Sequence, residues 1–258
     1  MGDAGSALCM SEMFATMAKA LHGQPSREQI LQEITELGAS TVAGAQYAGV
    51  ALLRRGRTLE SPAYTHPLVP RVDRAQSLAG EGPAFRPADA EGSEKVRTTA
   101  DPAEGVSVTR VDDLAADRRW PRFAREAARL GMRSMLSCRL TEERDSAGCL
   151  NLFSAEPGAF GEESAGTVAV LATHAAIALS AAAAVENLSN AVASRQVIGE
   201  ATGILMERYR VTSREAFAML VKASQDLNVK LREIAVHVVA TGQNPAELRA
   251  ADFAVARQ

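Results

Sequence analysis

Thiol and imidazole side chains are few in this chain of 258 residues: three cysteines (Cys9, Cys138, Cys149) and four scattered histidines. No CxxC spacing occurs, and three cysteines so placed make no disulfide framework, which fits a reducing cytoplasm. His174 stands alone in an alanine-rich run, with no second histidine at i+3 or i+4, the spacing that puts two ligands on one helix face. Core cysteine and packed histidine are therefore the readings for Cys138, Cys149 and His174. No nucleophile, base and orienting group recur together, so turnover of a substrate is not expected and neither is a metal centre. Charge chemistry is just as dilute. The net charge is −3, and between Glu186 and Thr241 seven Lys/Arg face six Asp/Glu. No basic field surrounds the molecule, so any nucleic-acid contact must come from clustered cations rather than bulk charge.

The strongest positional pattern is in residues 195–241. Val197, Ile198, Ala201, Leu205 and Met206 form an apolar stripe at three- and four-residue spacing. This helix is expected to end near Arg208, Tyr209 and Arg210, whose cations suit a helix C-terminus. Thr212 precedes Glu215 by three, the spacing of a capping box, and opens a second helix. That helix places Ala216, Phe217, Leu220, Val221 and Ser224 on one side and breaks at Asp226, Leu227 and Asn228. A third, over 230–239, turns Leu231, Ile234, Ala235 and Val238 inward. Ala201, Gly203, Ala216 and Ala235 are small where helices must approach closely.

The preceding part reads as mixed structure. A short helix is expected over 11–21, then a helix capped by Ser26 through Gln29, Ile30, Ile34 and Leu37. Runs 47–53 and 58–64 form a hairpin around the basic turn 54–57. Residues 67–79 read as loop and short helix, stopped by Gly80, Glu81, Gly82 and Pro83. Residues 86–105 are polar, with Pro87, Gly92 and Pro102, and read as a flexible insertion. A strand over 106–111, a helix over 121–130, a second hairpin (132–140 with 147–153) and a long helix opened by Phe160 and Gly161 complete the pattern. Helices flanking a single antiparallel sheet, followed by helices alone, make the fold class α+β. The run 168–185 is long enough to imitate a membrane span. Its alanine content, Thr173, His174, Ser180 and lack of flanking anchors mark a buried or dimer-facing helix instead. No signal peptide is expected, since Asp3 and Glu12 stand where a positive segment would be.

Two resemblances follow. The segments I-G-E-A-T-G-I-L-M-E-R, E-A-F-x-x-L-x-x-x-S and K-L-R-E-I-A resemble the ANTAR domain of transcription antitermination regulators, although Thr202 stands where many such sequences carry Lys. Residues 26–182 resemble a GAF domain through G-E-G-P, D-D-L-A-A-D-R-R-W-P-R-F, G-M-R-S-M-L-S-C-R-L, G-C-L-N-L-F-S and F-G-E-E. The implied plan is a helical extension (1–25), a GAF-like sensor with a sheet flanked by helices (26–182), a helical connector (183–197), a three-helix ANTAR bundle (198–245) and a tail (246–258).

The resemblance implies a cytoplasmic regulator in which the GAF domain receives a small molecule or other signal and the ANTAR domain binds stem-loops in nascent RNA. It leaves the cofactor unknown. Lys and Arg hold phosphates while small polar side chains approach unstacked loop bases. The candidate RNA contacts are Arg208, Arg210, Lys222, Ser224, Asn228, Lys230 and Arg232. The candidate sensor pocket is Asp112, Asp113, Trp120, Arg122, Phe123 and Cys138, with Trp120 read first as an anchor of its loop. Val185, Leu188 and Val192 form a seam on a helix free of breakers, from which a homodimer is expected. Two rivals stay open. A redox enzyme resembling free methionine sulfoxide reductases would need pocket cysteines, yet Ala84 stands where relatives often have Cys. A module whose helices bind a polypeptide is the other.

Overall fold

The computed structural model describes residues 26–54, 58–85, 94–96, 106–143 and 146–253; the helix expected over 11–21 lies outside them. In chain order the elements are α1 (Arg27–Thr41), β1 (Tyr47–Arg54), β2 (Thr58–Tyr64), α2 (Leu68–Ala79), β3 (Glu94–Val96), β4 (Val106–Val111), α3 (Pro121–Arg129), β5 (Ser134–Glu143), β6 (Ser146–Ser154), α4 (Glu162–Tyr209), α5 (Ser213–Leu227) and α6 (Leu231–Thr241). The chain divides into two compact units, Met1–Ala183 and Ala184–Gln258.

In the first unit six strands pair in the order β2-β1-β6-β5-β4-β3, antiparallel throughout. Alternation along each strand sends its side chains to two different layers. Val50, Leu52, Leu136, Cys138, Leu150 and Leu152 meet Ile30, Leu31 and Ile34 of α1 together with Val168, Leu171, Ala172 and Ala175 of α4. The opposite face carries Val111, Met135 and Phe153, which meet Val69 and Val72 of α2 and Phe123 and Ala127 of α3.

Local chemistry sets the ends of these helices. The Ser26 hydroxyl caps α1 by accepting from the Gln29 N–H at 3.3 Å. Pro121 occupies the first turn of α3, where no N–H is needed. Gly80 ends α2 in the left-handed region at φ 62°. A Cβ on Gly49 would come within 2.5 Å of Val69 Cγ1, so β1 and α2 touch backbone to side chain there.

Two expectations are corrected. The stretch read as loop and short helix is helical from Leu68 over 12 residues, because Val69, Val72, Ala75 and Gln76 make a continuous inner stripe. The stretch read as a flexible insertion contains β3, which pairs with β4 in the register Glu94↔Val108 to Val96↔Val106. The backbone donors and acceptors of the β4 edge gain partners there, whatever the polar composition around them.

Helix α4 is long and apolar enough to cross a membrane by length and composition, but its first half is spent on the sheet. Val168, Ala169, Leu171, Ala172 and Ala175 are all fully buried there. From Ala184 onward the helix is largely exposed, with Val185 and Leu188 at 67% and Val192 at 58%.

In the second unit, Ala201 and Leu205 of α4, Ala216, Leu220 and Ala223 of α5, and Ile234, Ala235 and Val238 of α6 share one small core. Leu248 and Phe253 close it from two 3-10 turns (Pro245–Glu247 and Ala250–Phe253), and the Phe253 ring lies 5.2 Å from that of His237. The capping box forms as expected. The Thr212 hydroxyl accepts from Glu215 N–H at 3.3 Å, and the Glu215 carboxylate accepts from Thr212 N–H at 2.8 Å. The Thr212 backbone and hydroxyl donors hold the Glu215 carboxyl below its ordinary range.

The inner stripes are narrower than expected. Ala201, Ala216 and Ala235 are fully buried, but Gly203 is exposed and a Cβ there would meet nothing. Met206 is 37% and Phe217 43% exposed. With alanines at the crossing points the helices approach so closely that the stripe closes on Ala216, Leu220 and Ala223. Phe217 is left one position off the contact line.

Candidate functional site

In the first unit a buried polar cluster lies on the sheet face beneath α2. Thr109, Ser137 and Asn151 stand side by side across β4, β5 and β6 in the registers Thr109↔Ser137 and Ser137↔Asn151. All three are buried, as are Asp73 and Gln76 on the overlying helix. The Ser137 hydroxyl donates to Asn151 Oδ1 at 2.7 Å, and Asn151 Nδ2 donates to Asp73 Oδ1 at 3.2 Å. Asp73 also accepts from the Ser61 hydroxyl at 2.7 Å and from Gln76 Nε2 at 3.3 Å. Gln76 Oε1 in turn accepts from Ala84 N–H at 3.4 Å, and Gly82 leaves room for it: a Cβ there would lie 2.3 Å from that oxygen. Burial pushes the Asp73 carboxyl up from 3.8 to about 6, against the lowering effect of donors from Ser61, Asn151 and Gln76. A carboxylate kept in an interior at this cost, with amides and hydroxyls around it, is a candidate functional group.

This cluster was not among the expected pocket residues, which the structure separates. Asp112 and Asp113 line a surface groove with Arg110, Asp117 and Arg119. Asp113 is tied to Arg133 at 2.9 Å, and the hydrogen bonds from that guanidinium hold its carboxyl low. Arg122 lies in a different groove, between α2 and α3, with its guanidinium on Glu81 at 2.7 Å. Trp120 is 5% exposed, with the Arg119 guanidinium 4.5 Å over its ring, and Phe123 is fully buried; both pin their segment to the α2/α3 layer. Cys138 lies in the layer with α1 and α4, where burial pushes its thiol up. Cys149 sits with Ala51, Leu59 and Ala84. Cys138 pairs with Leu150 and Arg139 with Cys149, so the two thiols point to opposite faces of the sheet. A signal for Asp73 and Gln76 was nonetheless present. They continue the Val69–Val72 stripe at helical spacing, and a polar residue on an inner stripe marks a buried group.

In the second unit the candidate cations and amides have distinct fates. The Arg208 guanidinium donates to the Gly242 carbonyl, closing the end of α6. Arg210, with φ 54°, pairs with Glu207 at 3.0 Å in the open. The Ser224 hydroxyl donates to the Val229 carbonyl at 2.7 Å and fixes the turn in which Asn228 adopts φ 51°. Lys222, Lys230 and Arg232 are exposed and have no ion-pair partner among the described residues. Lys222 falls on the shoulder of α5 that also carries Glu215 and Asp226, away from Ser224 and Asn228. Lys230 and Arg232 stand together where α6 begins. Thr202 is 7% exposed and its hydroxyl donates to the Ile198 carbonyl at 2.6 Å, so this position faces inward here.

Among the described residues no group of three or more His, Cys, Asp or Glu is placed to hold a metal ion.

Family models match both units: the GAF domain over residues 24–180 and the ANTAR domain over 186–239. No curated protein matches the chain. Among solved structures, a bacteriophytochrome from the photosynthetic bacterium R. palustris superposes with a TM-score of 0.53 at 9% identity, over 82% of this chain and 46% of its own. The GAF domain of a phosphoenolpyruvate-protein phosphotransferase from Coxiella burnetii aligns at 15% identity and a TM-score of 0.48, over 70% of this chain and 98% of its own. At such identities the likeness is one of fold. The GAF match alone spans more than half the chain, so the protein belongs to the GAF-domain family and, with the ANTAR domain behind it, is a regulator of the GAF–ANTAR kind.

Proposed function

We propose that this protein is a cytoplasmic antitermination regulator. Its sensor, residues 26–182, receives a small polar molecule at the face carrying Asp73, Asn151 and Gln76. Its helical domain, residues 198–245, binds stem-loops in nascent RNA and keeps a terminator from forming. The observation that carries the RNA reading is the ANTAR match over 186–239 together with Lys230 and Arg232, which have no ion-pair partner among the described residues where α6 begins. Three helices around so small a core favour a function that resides in a surface. Placing the thiols of Cys138 and Cys149 on opposite sheet faces argues against a redox pair between them. Sequencing the RNA crosslinked to the protein in its own cells tests the reading directly; enrichment of no stem-loop would sink it.

Lys230→Ala and Arg232→Ala each remove one potential phosphate contact and leave Ile234, Ala235 and Val238 in place. Each is expected to weaken stem-loop binding about uniformly across sequences and to lower the salt slope by about one. A salt titration of binding, with circular dichroism confirming the fold, checks this. Wild-type affinity at every salt concentration in both variants would remove this face from the RNA interface.

The same reading includes a homodimer paired along 183–197. Val185, Leu188 and Val192 recur at three- and four-residue spacing and are each more than half exposed. Leu188→Glu with Val192→Glu is expected to shift the protein to monomers in sedimentation at micromolar concentration. A wild-type chain already monomeric there contradicts the pairing.

A further inference from the structure

Helix α5 is charge-segregated in a way its near-neutral composition hides. Its inner line is Ala216, Leu220 and Ala223. Phe217, Val221, Ser224 and Asn228 recur at i, i+4, i+7 and i+11 and therefore share one shoulder of that line. Glu215 and Asp226, the only carboxylates of α5, are also eleven residues apart and share the opposite shoulder. The Phe217 shoulder is thus free of negative charge from its own helix. Arg214 stands one turn before Phe217 and two before Val221 on that side, exposed and with no ion-pair partner among the described residues. The far end of the shoulder, at Asn228, runs through the buried Val229 into Lys230.

Phe217 itself is 43% exposed, in a unit whose buried helix crossings are made by alanine. A single exposed apolar residue is ordinary. An exposed aromatic ring on a carboxylate-free strip, with a cation at each end, has the composition that binds single-stranded nucleic acid. The ring stacks on a base, sequence-tolerantly because every base has a π-face, and the cations hold the flanking phosphates.

Resting on the RNA reading above, we propose that Phe217 is a stacking platform for one unpaired base of the bound loop, with Arg214 on the adjacent phosphate. The Ser224 hydroxyl donates its one proton to the Val229 carbonyl, so it is left only as an acceptor towards a base. The strip therefore supplies affinity for an unstacked base more than identity of that base, and sequence choice must come from elsewhere on the surface.

The test uses the full-length protein and stem-loop RNAs selected by it from a pool with randomised loops. 2-Aminopurine is placed at each loop position in turn. Stacking on Phe217 quenches its fluorescence at one position, and Phe217→Ala abolishes that quenching and weakens binding roughly tenfold, within the range of about 1–3 kcal/mol per stacked base. Phe217→Trp retains both. Replacing that base by an abasic site weakens the wild type by a similar factor and adds nothing to the loss in Phe217→Ala. Circular dichroism and sedimentation confirm fold and assembly.

If Phe217→Ala binds like wild type while Lys230→Ala and Arg232→Ala weaken, stacking is wrong and the RNA reading stands. If the losses from Phe217→Ala and from the abasic site simply add, the ring does not touch that base. A drop in sedimenting mass of Phe217→Ala makes the strip a surface between copies of the chain, which also overturns the proposal. If the wild type selects no stem-loop at all, the RNA reading falls and stacking falls with it.

Discussion

Ala201→Asp is expected to unfold the helical unit and abolish RNA binding while leaving the sheet of the sensor intact. Ala201 is fully buried in α4, in a core shared with Leu205, Ala216, Leu220, Ile234 and Ala235. Three of these six are alanines, so the helices are held at a separation that a longer side chain cannot enter without moving a neighbouring backbone. Overpacking of this kind costs roughly 1–3 kcal/mol. The new carboxylate finds no cation in the core, and an unpaired buried charge adds several kcal/mol more or forces the group to stay protonated. A unit with so small a core has on the order of 5 kcal/mol in hand, so the sum is enough to unfold it. Amide exchange reads the outcome by region: protection should vanish across 213–241 and persist in β5 and β6. Ala201→Ser, which can return its hydroxyl to the carbonyl one turn back, should lose far less. Retained protection across 213–241 in the Asp variant would show the helix crossing to be looser than its burial implies.

How much of this could be read from the chain differs by element, for physical reasons. The helix ends were legible because they depend on partners within four residues: Thr212 and Glu215 complete their reciprocal cap, and Ser26 caps α1. The strands were legible because Leu150, Asn151 and Leu152 alternate, and the single sheet followed from hairpin spacing. Contacts across long sequence separations were not. Arg208 reads as a free cation at a helix end, and only folding brings the Gly242 carbonyl, 34 residues away, to its guanidinium. Phe217 reads as an inner residue because it adjoins Ala216 in an apolar pattern, and the width of an inner stripe depends on how closely a neighbouring helix approaches. The expected pocket followed the resemblance to the segment around Trp120, which packs as an anchor. The polar cluster that the fold encloses lies instead on α2, β5 and β6. Its members were passed over because serine, asparagine and glutamine in isolation read as solvated.

Asp73 is expected to make the sensor less stable at neutral pH than in mild acid, and Asp73→Asn to remove that dependence. The carboxyl titrates near 6 in the folded protein and near 3.8 when freely solvated. Below the lower value both states hold the proton and no penalty exists. As pH rises through the window from 3.8 to about 6 the unfolded chain ionises first, so stability is progressively lost; above the upper value the loss is complete and constant. A shift of this size corresponds to something on the order of 2–3 kcal/mol. Glu81 and Asp113 pull the other way, since Arg122 and Arg133 hold their carboxyls below the ordinary range. Their contribution is lost as pH falls below the ordinary values of 4.5 for Glu81 and 3.8 for Asp113, so that of Glu81 begins to fade in the lower part of the window in which Asp73 titrates, equally in wild type and variant. Asparagine fits the same place: its oxygen can accept from Asn151 and Gln76 as Asp73 Oδ1 does, and its amide can donate to the Ser61 oxygen, which needs only a hydroxyl rotation. Denaturant titrations at pH 7.5 should therefore find the variant more stable than wild type. The gap should close between pH 6 and 4 as the wild type regains its proton. Parallel stability curves for the two proteins across that range would mean that Asp73 is not desolvated as its burial indicates. If the asparagine variant is the more stable, the carboxyl at this position serves use rather than architecture. Under the sensing role proposed above, a ligand donor reaching Asp73 would offset the part of the desolvation that the Ser61, Asn151 and Gln76 donors leave. The asparagine variant should then combine the higher stability with a weaker response to ligand.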